Sequence, residues 1–186
     1  MGSFELARPQ RLAGEALDDG FAPLPYDGAG RQLVTALKFR RLLVVAELGA
    51  ALIMDGAPGR MLGGVIVPVP PSPWRLARRG FDPAAELARA LAGASGLAVS
   101  SCLRRIDARP QRGRSRRLRL ASPPRFAVTG AVPGRALLVD DVATTGATLD
   151  ACASVLRASG CRRVEAVTLA AVPPPSSEIL TARRSA

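Results

Sequence analysis

The chain has 186 residues, 48% of them apolar, which suffices for a single globular domain with a core of its own. Its 26 basic residues outnumber 15 acidic ones to give a net charge of +11, and Lys38 is the only lysine. The absence of histidine excludes histidine acid/base catalysis, histidine metal sites and Ser-His-Asp triads. Cys102, Cys152 and Cys161 are too few and too scattered for a zinc site or a disulfide framework, and read as small buried apolar residues. Residues 1–20 lack the apolar core of a signal peptide and no apolar run is long enough to span a bilayer, so a cytoplasmic protein is expected.

Residues 1–25, with Pro9, Pro23 and Pro25, predict a loosely ordered N-terminal segment with at most one short helix near residues 11–17 and little function. From Asp27 a helix is expected, with Leu33, Val34 and Leu37 facing a core, and a second follows over residues 42–54. Lys38 falls at the end of the first, where a positive charge complementing the helix dipole is the preferred reading over a ligand contact. Residues 63–70 read as the first parallel strand, closed by prolines. A basic exit loop over residues 71–80 carries Trp74, Arg75, Arg78 and Arg79, and Asp82-Pro83 then opens a helix over residues 84–92. Residues 97–103 are the next strand candidate.

Residues 104–119 hold eight arginines against one acid, Asp107, with almost no apolar periodicity. Such a run is expected to be mobile until an anion orders it, either as a loop closing over a phosphate ligand or as an arm along a nucleic acid. It lacks the interleaved aromatic residues of a single-strand stacking platform. After a short strand at residues 126–129 and a turn at 130–134, the apolar run at residues 136–139 reads as a strand buried on both faces of a parallel sheet. Helical spacing returns at Leu149, Cys152, Ala153 and Leu156, Gly160 supplies a C-cap, and residues 164–172 read as another parallel strand before a disordered tail over 173–186. Strands alternating with helices predict an α/β fold, doubly wound with a mainly parallel sheet and a small helical hood, over residues 26–172.

The strand at 136–139 runs into Asp140 and Asp141, then Ala143, Thr144, Thr145, Gly146, Ala147 and Thr148. A strand-to-helix turn of this kind presents free N–H groups and the positive end of a helix dipole to an anion. Two acids beside it would repel a bare anion, so hydroxyl donors, a divalent cation or both must lie between; a sugar phosphate with a free diol satisfies this. For an isolated acid pair before a helix, capping is the ordinary explanation, but the full ordered run argues for a phosphate site.

Residues 137–148 resemble the 5-phosphoribosyl-1-pyrophosphate (PRPP) motif of type I phosphoribosyltransferases. Tyr26-Asp-Gly, Ala36-Leu-Lys-Phe39, Val67-Pro-Val-Pro70, Arg78-Arg-Gly-Phe81 and Pro110-Gln111 follow in the order of the ComF-type branch, which is linked to bacterial DNA uptake. The resemblance implies that Asp140 and Asp141 bind the ribose hydroxyls and that Ala143, Thr144, Thr145, Gly146, Ala147 and Thr148 bind the 5′-phosphate. It also implies that Arg78, Arg79 and one or more of Arg109, Arg112 and Arg114 bind pyrophosphate. Mg²⁺ would come mainly with PRPP, without a dedicated protein site, and no general base is assignable. Relatives acting on 6-oxopurines carry an acid where Thr144 stands, which argues against that substrate class. No cysteine precedes Cys102, so the zinc ribbon of many ComF-type proteins is not expected here. A non-catalytic role through single-stranded DNA or competence proteins is the rival, and a homo-oligomer is left open.

Overall fold

The computed structural model of the chain describes residues 9–40, 43–106 and 124–173. In chain order the elements are β1 (Gln10–Arg11), β2 (Asp19–Ala22), β3 (Leu24–Pro25), α1 (Gly28–Arg40), α2 (Leu43–Gly56), a 3₁₀ turn (Gly59–Met61), β4 (Val65–Pro68), α3 (Pro73–Arg79) and α4 (Pro83–Ser95). They continue with β5 (Leu103–Arg105), β6 (Phe126–Val128), β7 (Arg135–Ala143), α5 (Ala147–Ala158) and β8 (Arg163–Ala171). No described helix is long and apolar enough to cross a membrane.

The main sheet has the order β1-β2-β8-β7-β4, with β3 also on β8, and every pairing except β1 with β2 is parallel. Its two central strands are almost entirely buried because both faces are covered, as a parallel sheet requires. On one face Ile66, Leu137, Val139, Val167 and Leu169 pack with Val34 and Leu37 of α1, Ile53 of α2, and Leu87 and Leu91 of α4. On the other, Val67, Ala136, Leu138, Val164 and Ala166 pack with Leu149, Cys152, Ala153 and Leu156 of α5 and Phe126 of β6. The alternation along 136–139 sends successive side chains into these two cores. Burial of this kind contributes about 25 cal/mol per Å² of apolar surface and dominates the fold's stability. The doubly wound, mainly parallel fold class is thereby established, and all three cysteines are buried and free.

Three expectations need correction. Residues 10–25 are not a loose lead-in with a helix: they form β1, β2 and β3, and β2 is a strand of the main sheet in register with Glu165–Val167. The basic stretch after β4 is not all loop, since α3 forms with Ser72 as N-cap, Pro73 in its first turn and Gly80 left-handed at its end. The strand expected at residues 97–103 splits. Val99 makes one parallel bridge to Ile66, and the chain then leaves the sheet to build β5, which pairs antiparallel with β6.

Candidate functional site

The strand β7 outlasts its apolar run and carries both acids before ending at Ala143. Asp140 pairs with Thr168 of β8, and its Oδ1 accepts the Asp141 N–H at 2.8 Å. Asp141 is only 6% exposed, and its Oδ1 lies 2.9 Å from Lys38 Nζ, brought in by the last turn of α1. The lone lysine therefore does more than complement its own helix dipole: it partners one member of the acid pair. Asp82 contributes a third carboxylate from the start of α4, where its Oδ1 accepts the Ala84 N–H at 3.1 Å.

Asp140 and Asp82 do not titrate as ordinary carboxylates. Burial, reinforced by the Asp141 charge and opposed by the Asp141 N–H and Lys38, pushes Asp140 up to about 8. Burial and, more weakly, Asp141 push Asp82 up to about 6 against its backbone hydrogen bonds. In its protonated form Asp140 can donate a hydrogen bond as well as accept one.

The turn after β7 is built for close approach. Gly146, at φ +76°, is the N-cap of α5 in the left-handed region, and a Cβ there would stand 3.0 Å from the Ala13 carbonyl oxygen. The N-cap Gly146 offers α5 no side-chain cap, and Thr145 Oγ1 takes the Ala147 N–H only at a long 3.4 Å, so the start of the helix can still turn N–H groups toward an anion. Asp140 and residues 142–149 line a hollow over this helix end, with Thr144, Thr145 and Ala147 exposed and Thr148 half-buried. The acid of the first turn, Asp150, is engaged elsewhere: its Oδ1 accepts the Ala16 N–H at 2.8 Å. Arg157 of the same helix donates from Nε to the Ala16 carbonyl at 2.7 Å and from a terminal nitrogen to Asp18 at 2.7 Å. Residues 12–18 thus strap α5 down beside the turn, a role the sequence reading did not foresee.

Arg78 and Arg79 end α3. The Arg78 guanidinium lies 4.8 Å from the Trp74 ring centre, and that of Arg79 lies 5.1 Å from the Phe39 ring centre. Arg79 Nε is buried without a hydrogen-bond partner among the described residues, an unmet donor that an anionic acceptor would satisfy. Arg109, Arg112 and Arg114 lie outside the described residues. The hairpin of β5 and β6 brackets their segment, with Arg105 opposite Phe126. The structure thus joins the acid pair, the turn, Lys38 and Asp82 at the carboxyl ends of the parallel strands, where open α/β sheets bind ligands. Among the described residues no cluster of three or more acids, cysteines or histidines is placed to hold a metal ion.

Fold and turn together define a doubly wound α/β protein with an uncapped strand-to-helix turn. Residues 76–181 match the family model of the phosphoribosyl transferase domain, more than half of the chain, and the chain belongs to that family. It is similar to Competence protein ComFC of Streptococcus pneumoniae (strain ATCC BAA-255 / R6), with 32% identity over 105 residues, 55% of this chain and 46% of the relative. The match spans about half the length of that relative and bears out the ComF-type resemblance.

Proposed function

We propose that the chain binds PRPP with Mg²⁺ and transfers its phosphoribosyl group to a nucleophile by displacement at C1. The observation that carries this reading is the acid pair of β7 set immediately before the uncapped, glycine-opened turn into α5. In this reading Asp140 and Asp141 take the ribose hydroxyls and residues 143–148 the 5′-phosphate. Arg79, with its unmet Nε, takes the pyrophosphate together with Arg78 and one or more of Arg109, Arg112 and Arg114. The two acids are partly engaged within the chain, by Lys38 and by the Asp141 N–H, which supports a cation held by the ligand's own phosphate oxygens. Mg²⁺, when bound, neutralises charge on the leaving pyrophosphate. The N–H groups at the start of α5 anchor the far end of the ligand and fix C1 relative to both acids. PRPP with Mg²⁺ at about 100 times its Kd should raise the unfolding free energy by roughly 2.7 kcal/mol, read as a rise in Tm. No shift in Tm and no heat in calorimetry would remove the reading.

A binding protein without turnover is the second reading, favoured by the name of the relative, Competence protein ComFC, and by the net charge of +11. Pyrophosphate release on mixing with PRPP and Mg²⁺ separates the two. If the arginines serve single-stranded DNA, affinity should fall with salt at a slope near 0.7 per phosphate contacted.

A further inference from the structure

The acid pair sits among charges that come from several elements: Asp140 and Asp141 from β7, Lys38 from α1, and Asp82 and Arg89 from α4. Behind Asp140, on α5, stands the buried thiol of Cys152, raised by burial and by the Asp140 charge. Three carboxylates in one neighbourhood repel one another unless a cation sits among them. Lys38 is that cation for Asp141, with 18% of its side chain and 9% of the Asp141 side chain exposed, so little water screens the 2.9 Å contact. Its neighbour Phe39 carries the Arg79 guanidinium on its ring, so two consecutive residues at the end of α1 touch both the acid pair and the arginine of α3.

We propose that Lys38 is a positioning residue of the diol site: its ammonium fixes Asp141 and keeps the acid pair charged enough to accept hydrogen bonds from a vicinal diol. This rests on the PRPP reading for the identity of the ligand, but the effect on the acids belongs to the empty protein. Removing the charge leaves a buried carboxylate unpaired beside Asp140, so the pair holds its protons to higher pH and offers the hydroxyls a weaker acceptor. A contact that merely docks α1 would lower stability and move the titration of the acids, but the loss of PRPP affinity would not then depend on pH.

The test compares wild type with Lys38→Met and Lys38→Arg. Carbon-13 NMR of the aspartate carboxyls in the empty protein should show the β7 acids titrating about one pH unit higher or more in Lys38→Met, with Lys38→Arg close to wild type. Calorimetry with PRPP and Mg²⁺ should show Lys38→Met weakened at least about tenfold at pH 7, with the gap closing as pH rises toward 9. An unmoved carboxyl titration, or a Kd ratio independent of pH, overturns the proposal. If Lys38→Met does not fold, acetylating the folded wild type removes the same charge, because Lys38 is the only lysine and the α-amino group the only other amine modified, and the carboxyl titration must again rise. Should PRPP fail to bind wild type while the titration moves as stated, the PRPP reading falls and the role of Lys38 in charging the acids stands.

Discussion

At the amino ends of β7 and β8 one buried acid is shared by two arginines, whereas at their carboxyl ends acids gather around a single lysine contact. Glu165, fully buried, accepts from Arg135 Nε at 3.0 Å and a terminal Arg135 nitrogen at 2.8 Å, while its other oxygen meets Arg163 at 2.9 Å. Arg135 also donates to the Arg60 carbonyl, tying the 3₁₀ turn to the sheet. Both oxygens of that acid are satisfied and nothing there invites a ligand. At the other pole Asp140 is driven toward protonation, Asp82 is raised and Arg79 Nε has no acceptor among the described residues. Both poles belong to the same two strands, so the contrast does not come from the fold. It separates charge that holds the sheet together from charge held ready for something that binds.

Arg135→Met breaks the contrast at the structural pole, leaving Glu165 with one partner. Removing one side of a buried ion pair should cost about 3 kcal/mol in urea unfolding, and a loss below about 0.5 kcal/mol, the range of ordinary surface substitutions, would mean this pole is no more structural than the other.

The opposite sign is expected at the site. Asp140 holds its proton to about pH 8 when folded but loses it near 3.8 when unfolded, so the folded state binds more protons between these values and stability falls as pH rises through them. Asp82 adds to the slope only up to about pH 6, and with no histidine in the chain the window from pH 6 to 8 isolates Asp140. Asp140→Asn should flatten that window and stabilise the protein at pH 8 by on the order of 1–2 kcal/mol, while losing PRPP affinity. A slope unchanged by Asp140→Asn would place the proton elsewhere.

Gly146→Ala sharpens the comparison at the turn itself. A left-handed alanine costs roughly 1–2 kcal/mol, and with the Ala13 carbonyl 3.0 Å from the new Cβ it should shift the turn as well. Stability should drop by about that amount while PRPP affinity falls further than at Gly80, also left-handed but with open space around it.

What could be read from the sequence followed how local the signal was. The acids and the turn lie in one run of a dozen residues, and α4 announced itself through Asp82-Pro83 and α5 through its apolar spacing. The short helix α3 buries none of its residues, so it left no apolar periodicity, although Ser72-Pro73 and Gly80 mark its ends. The partner of Lys38 was invisible because Asp141 sits on a strand far along the chain, and no local pattern encodes that meeting. The same holds for residues 10–25. A four-residue strand, Asp-Gly-Phe-Ala, followed by prolines reads as irregular until β8 is there to pair with it.

That pairing has a consequence for how the molecule is made. The Val164 N–H donates to Asp18 Oδ2 at 2.7 Å across 146 residues of sequence, and β2 lies against the strand that begins one residue earlier. A ribosome adding about 5–20 residues per second releases β2 many seconds before its neighbour exists. Throughout that interval Phe21 and Ala22 have no sheet to enter, and closing so long a loop is a late and slow event. The last strand described is therefore the one that gives β2 its place in the sheet, and the segment strapping α5 falls into place only after β8 has emerged.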